Sequence, residues 1–143
     1  MADERDLIEI LEENNPIDII KYISYVHSPQ CSAIATFSGT TRDTVEGKTV
    51  LELRYEAYVP MAVRCIKSIC TSARSSWNLN SIAVAHRLGL VPVKTFRHHF
   101  KFLVNFNQPV YKDLSHFRID FWLRIHVITN SSIILITREP HTN

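Results

Sequence analysis

At Pro60 the hydrophobic period of this chain changes, and the change restricts what the chain can fold into. From Thr49 to Tyr58 the residues alternate, with Val50, Glu52, Arg54, Glu56 and Tyr58 on one face and Leu51, Leu53, Tyr55 and Ala57 on the other. That period of two is the mark of a half-buried strand. Past Pro60, which is tolerated in a first helical turn, Met61, Cys65, Ile69 and Ala73 recur every fourth residue with Ile66 and Cys70 beside them, up to Trp77. This is a helix with one apolar face. Ile82, Val84 and the HRLGLV that follows form the next strand, which enters a turn at Gly89.

Upstream, Asp3 to Glu13 places Leu7, Ile8, Ile10 and Leu11 near helical spacing in an acidic stretch, which predicts a short amphipathic helix. Asn15 and Pro16 read as an N-cap and first helical residue, and Ile19, Ile20, Ile23 and Val26 supply one apolar stripe. Cys31 to Phe37 is strand-like, and Gly47 marks a turn in the polar loop DTVEGK. Helix, strand, strand, helix, strand in this order predicts an α+β fold, with helices packed on a mixed, mostly antiparallel sheet. At 143 residues the chain reads as a single domain, 1–143, large enough for a core without staples.

No apolar run reaches membrane-spanning length, and the opening ADERDLIEILEE lacks the order of a signal peptide, so a cytosolic location is expected, with no membrane partner. Cys31, Cys65 and Cys70 are odd in number and form no CxxC pair. They read as buried free thiols, with neither a disulfide framework nor a metal site. The formal net charge of +2 hides a split. Residues 94–143 hold seven Lys and Arg against three Asp and Glu, contain no Ala or Gly, and include six of the seven Phe and five of the seven His. So abrupt a change implies two segments of different history.

The chemistry gathers at Ile34 to Arg42, IATFSGTTR. A strand-type run ends at Gly39, where the backbone can turn or approach a ligand closely. Thr40 and Thr41 then offer hydroxyl donors and Arg42 a planar fork suited to phosphate or carboxylate. A strand, a turn and a solvated Arg describe the same residues. His86 reads first as a structural histidine and is a weak candidate beside the corner.

From about Ile17 to Val93 the sequence resembles the large, catalytic subunit of molybdopterin synthase, through CSAIATFSGTTRDTVEGK, LELRYEAYVPMA, SARSSWNL and IAVAHRLGLVPV. Four ordered segments are a far more specific signal than one glycine motif. The resemblance implies the α/β hammerhead fold and a sulfur transfer in molybdenum-cofactor synthesis. In that reaction a ubiquitin-like small subunit, carrying a C-terminal thiocarboxylate, passes sulfur to cyclic pyranopterin monophosphate. It also implies a homodimer of large subunits inside a heterotetramer, and no metal or organic cofactor. Arg42 matches the family's arginine at the substrate anion, Thr40 and Thr41 its neighbouring loop positions, and Phe37 the aromatic before them. These four are the expected substrate-binding residues. A cyclic phosphate calls for a bidentate donor with hydroxyls close by, in keeping with that assignment.

The resemblance stops after Val93. The family's Ser-X-His-Arg step, its Ala-rich helix and its Lys-rich stretch find no counterpart in residues 94–143, so the catalytic residue is unknown and neither Lys101 nor Lys112 is assigned the lysine's role. Residues 116–127 alternate strictly, and Ser132 to Thr137 is also strand-like. This divergent segment reads as an alternative or out-of-frame tail, with lineage divergence as the rival. Losing the covering helix would leave open strand edges and apolar faces. The principal expectation is the catalytic subunit; the alternative is a catalytically inactive member that only binds, because the loss of positioned groups costs about a hundredfold to ten-thousandfold in rate. A nucleic-acid surface made of Lys94, Arg97, His98, His99 and Lys101 among Phe96, Phe100 and Phe102 is disfavoured by the modest net charge.

Overall fold

The computed structural model describes residues 5–31, 33–39, 42–77, 79–92, 100–106 and 133–138. In chain order these form β1 (Asp6–Leu11), α1 (Ile19–Val26), β2 (Ala33–Gly39), β3 (Thr44–Val45), β4 (Lys48–Tyr55), α2 (Val59–Trp77), β5 (Leu79–Arg87), β6 (Gly89–Pro92), β7 (Phe100–Phe106) and β8 (Ile133–Arg138). The first sheet has the order β1-β5-β7-β2, with β1 parallel to β5 and the other pairs antiparallel. In the second, β4 pairs antiparallel with β3, β6 and β8. Two helices with one mixed and one antiparallel sheet make this the α+β fold that the alternating periods predict.

Alternation along β5 explains how both faces of the first sheet are covered. Ile82 and Val84 pack with Ile66, Ile69, Cys70 and Ala73 of α2, while Ala83 and Ala85 pack with Tyr22 and Val26 of α1 and with Leu103 of β7. A strand buried on both sides reads as a near-continuous apolar run, as Ile82 to Ala85 do within LNSIAVAHR.

The same geometry corrects the expected N-terminal helix, which is β1. Ile8 and Ile10 join the α2-side core and Leu7 the α1-side core. The two apolar pairs that mimicked helical spacing are therefore opposite faces of one strand, paired along its whole length with β5. A short apolar run does not separate the two possibilities by periodicity, and here the parallel ladder decides. The polar residues follow the same parity. On the α2 face Asp6 Oδ2 accepts from Arg74 Nη1 at 3.0 Å, and Oδ1 accepts from Nη2. On the α1 face Glu9 Oε2 accepts from the Tyr22 hydroxyl at 2.6 Å, and Oε1 pairs with Lys21.

Lys21 first and Tyr22 second hold the Glu9 carboxyl below its ordinary range against the opposing effect of burial. Glu9 therefore adds stability above the carboxylate range, and that stability is lost as pH falls through its depressed folded value. The expected outcome for Glu9→Gln is a shallower fall in urea midpoint between pH 7 and pH 3 than in the parent. An unchanged acid slope would remove Glu9 from the balance.

Two further expectations are corrected. The cap of α1 is Asp18, whose carboxylate accepts from the Ile20 and Lys21 amides at 3.1 and 3.4 Å; Asn15 is exposed in the preceding loop. Tyr22 and Val26 form the buried face, and Ile20 is 72% exposed. In β4 the expected parity fails midway. Val50 is buried and Leu51 is 43% exposed, because the pairing with β8 slips between Val50 and Glu52. A bulge at Leu51 shifts the strand by one residue, so Leu53 and Tyr55 return to the inner side.

Residues 94–99 and 107–132 include the expected 116–127 strand and lie outside the described residues. The expected run from Ser132 is β8, and β7 lies inside the first sheet between β5 and β2. β7 pairs with both β5 and β2, which leaves β1 and β2 as the outer strands of this sheet among the described residues.

Candidate functional site

Strand direction brings the candidate residues to one end of the first sheet. β1 and β5 are parallel, and β2 is antiparallel to β7, which is antiparallel to β5, so β1, β5 and β2 run the same way. One register row crosses the sheet as Gly39, Phe100, His86 and Ile10. The C-terminal ends of β2 and β5 therefore lie side by side across β7, roughly 10 Å apart by the spacing of strands. Loops at such ends are where sites are built.

Two chain crossings between the sheets occur here. Residues 40–43 join β2 to β3, and Leu88 alone joins β5 to β6. Arg42 is exposed on the first crossing, and the Asp43 carbonyl at its end accepts from the Val50 amide at 2.7 Å. The second crossing is tight. Leu88 donates to the Leu11 carbonyl at 2.8 Å, and Gly89 has a φ of +84° with Glu13 lying against its Cα. Between the crossings the Tyr55 and His86 rings meet edge to face, 5.2 Å between centroids at 85°.

Of the expected substrate-binding residues, Arg42 stands at this end of the sheet, and Thr40 and Thr41 lie outside the described residues. Phe37 is partly buried against the α2-side core, which gives it a packing role. His86 is 4% exposed and Arg87 1%, so both are parts of the interior beneath the corner. Tyr55 was not singled out in the sequence; its place on the inner parity of β4, four residues past the bulge, is the signal that marks it. Burial pushes its hydroxyl above the ordinary tyrosine range.

Burial also raises the Cys70 thiol to about 12, so it stays protonated near neutral pH and is a poor nucleophile. Cys31 and Cys65 are partly exposed. Among the described residues no group of three or more His, Cys, Asp or Glu is placed to hold a metal ion. None of the helices described is long and apolar enough to cross a membrane. What the arrangement offers chemically is a guanidinium at converging strand ends, supported by a desolvated interior and able to grip an anion through two parallel hydrogen bonds.

Comparison with known proteins agrees with this architecture. The MoaE protein family profile matches residues 12–96, more than half of the chain, and the chain belongs to that family. The molybdopterin synthase catalytic subunit of Arabidopsis thaliana is 72% identical over 92 residues, which are 64% of this chain and 46% of that protein. The chain spans about half the length of the curated relatives it matches. The crystal structure of molybdopterin synthase from Staphylococcus aureus superposes with a TM-score of 0.76 at 24% identity, covering 92% of each chain. A complex of subunits 1 and 2 of molybdopterin-converting factor from Helicobacter pylori gives 0.57 at 16% identity, over 81% of this chain and 73% of that one. These two likenesses show the fold. The first extends past residue 96, where the family match ends. Nothing in the comparisons supports the inactive-subunit alternative.

Proposed function

We propose that this chain acts as the catalytic subunit of a molybdopterin synthase, moving sulfur from a thiocarboxylated, ubiquitin-like small subunit to cyclic pyranopterin monophosphate. The observation that carries the reading is the family match over residues 12–96, which includes the Gly39 to Arg42 corner. Arg42 grips the substrate anion, with Thr40 and Thr41 as neighbouring hydroxyl donors and Phe37 as the wall behind them. The partners are the small subunit and a second large subunit, within a heterotetramer in the cytosol. Support for the small-subunit partner comes from the likeness to a structure described as a complex of two such subunits. The nucleophile or acid that completes the transfer is unassigned, and the buried Cys70 is a poor choice for it.

The test is molybdopterin formation from purified chain, thiocarboxylated small subunit and the cyclic pyranopterin phosphate. Removing one preorganised donor to a reacting anion typically costs about a hundredfold in rate. Arg42→Ala is therefore expected to slow formation by about that factor while the thermal midpoint stays unchanged. A folded parent chain that forms no product would overturn the reading of the chain, and an unaffected Arg42→Ala variant would overturn the reading of the corner.

A further inference from the structure

α2 starts well before the core that it covers. Its buried residues begin at Ile66, so the stretch from Val59 to Cys65 contains no buried side chain. At that end four apolar residues in succession, Tyr58, Val59, Pro60 and Met61, are exposed, Tyr58 at 73% and Met61 at 59%. The other large apolar side chains exposed among the described residues are Ile20, Ile23, Ile34 and Leu51, no two of them neighbours in sequence. Single exposed apolar residues are ordinary, whereas a consecutive run marks a surface that another molecule covers. Tyr, Met and Arg are the residue types that interfaces concentrate, and Arg64 lies one turn along the same face of α2 from Pro60 and Met61.

Charge decides what kind of partner fits. α2 contains no Asp or Glu. Of its three cations Arg74 is held by Asp6, while Arg64 and Lys67 are exposed and form no ion pair among the described residues. Glu56, two residues before the run, is outnumbered by the exposed Arg54, Arg64 and Lys67. A twofold contact repeats the same patch on both sides, so pairing this face with its own copy would set cations against cations. The second large subunit is therefore a poor fit, and the surface that fits is a different one, apolar at its centre and ringed by carboxylates.

We propose that Tyr58 to Met61, with Arg64 beside them, dock the small subunit through a patch of that kind. The inference rests on the proposed reading of this chain as the partner of a small subunit.

Calorimetric titration of the full-length chain with purified small subunit, at low and at high salt, tests it. Tyr58→Ala and Met61→Ala are each expected to weaken binding about tenfold or more, with the thermal midpoint unchanged because neither side chain is buried. Arg64→Glu is expected to weaken binding about tenfold at low salt and by much less at high salt, where rim charges are screened. Ile20→Ala, as exposed as Tyr58 but on the helix that covers the opposite face of the first sheet, is expected to leave binding unchanged. Binding unaffected in Tyr58→Ala and Met61→Ala would overturn the docking surface and leave the partner reading standing. Variants that lose self-association while still binding the small subunit would overturn it too, by placing a second copy on this surface. A loss in both apolar variants with none in Arg64→Glu would overturn the acidic character assigned to the partner. A folded parent chain that does not bind the small subunit would overturn the partner reading itself, and the docking surface along with it.

Discussion

Replacing Asp6 with alanine is expected to lower the unfolding free energy by about 3–5 kcal/mol, the typical cost of leaving a buried charge without its partner. The Asp6 side chain is 3% exposed and that of Arg74 14%. The guanidinium meets both carboxylate oxygens and also donates to the Asn80 carbonyl at 3.2 Å. One ion pair thus ties β1, α2 and the start of β5 together, and cutting it strands a cation under the α2 face. Lys21→Ala gives the contrast. Its ion pair with Glu9 lies on a half-exposed side chain, so the expected loss is below about 1 kcal/mol. Urea denaturation of both variants at neutral pH is the check. A loss under about 1 kcal/mol for Asp6→Ala would mean that water reaches the pair. Exchanging both partners for apolar residues, Asp6→Leu with Arg74→Met, should recover most of the stability, since matched apolar replacements of buried pairs are often neutral.

Gly89→Ala is expected to cost about 3 kcal/mol, from two separable causes. At a φ of +84° an L side chain is strained by roughly 1–2 kcal/mol. A Cβ built at Gly89 would also lie 2.5 Å from the Cβ of Glu13. That neighbour is the root of a side chain and cannot swing away, so the loop after β1 must move, with an overpacking cost of about 1–3 kcal/mol. Adding Glu13→Gly should restore the second part and leave the first. A double variant no more stable than Gly89→Ala alone would show that strain at Gly89 is the whole effect.

The sequence revealed the elements whose pattern and packing agree. The α2 stripe and the apolar run of β5 each face the partner that their spacing implies. It misled where tertiary pairing overrides local pattern. β1 imitates a helix because its two faces are both apolar, a condition created by α1 and α2 lying on opposite sides of the sheet. The bulge at Leu51 inverts the parity of β4, and no local residue announces it. α1 begins at Asp18 because a carboxylate there meets two amides, which outweighs the Asn-Pro signal upstream. The contact of Tyr55 with His86 was hidden for a further reason: the two become neighbours only once two sheets exist.

The position of β7 bears on how the protein is made. In the first sheet β2 has β7 as its neighbour, and the paired residues are more than sixty positions apart in the chain. The stretch with clear kinship, residues 12–96, therefore contains β2 and its corner but not the strand that holds them to β5. On a ribosome working from the N-terminus, β2 lacks this neighbour until residue 106 has emerged. Through that interval β2 presents an unpaired edge and β5 a free flank, which calls for a chaperone or fast synthesis to keep them apart from other chains. Such distant pairing also makes for slow folding.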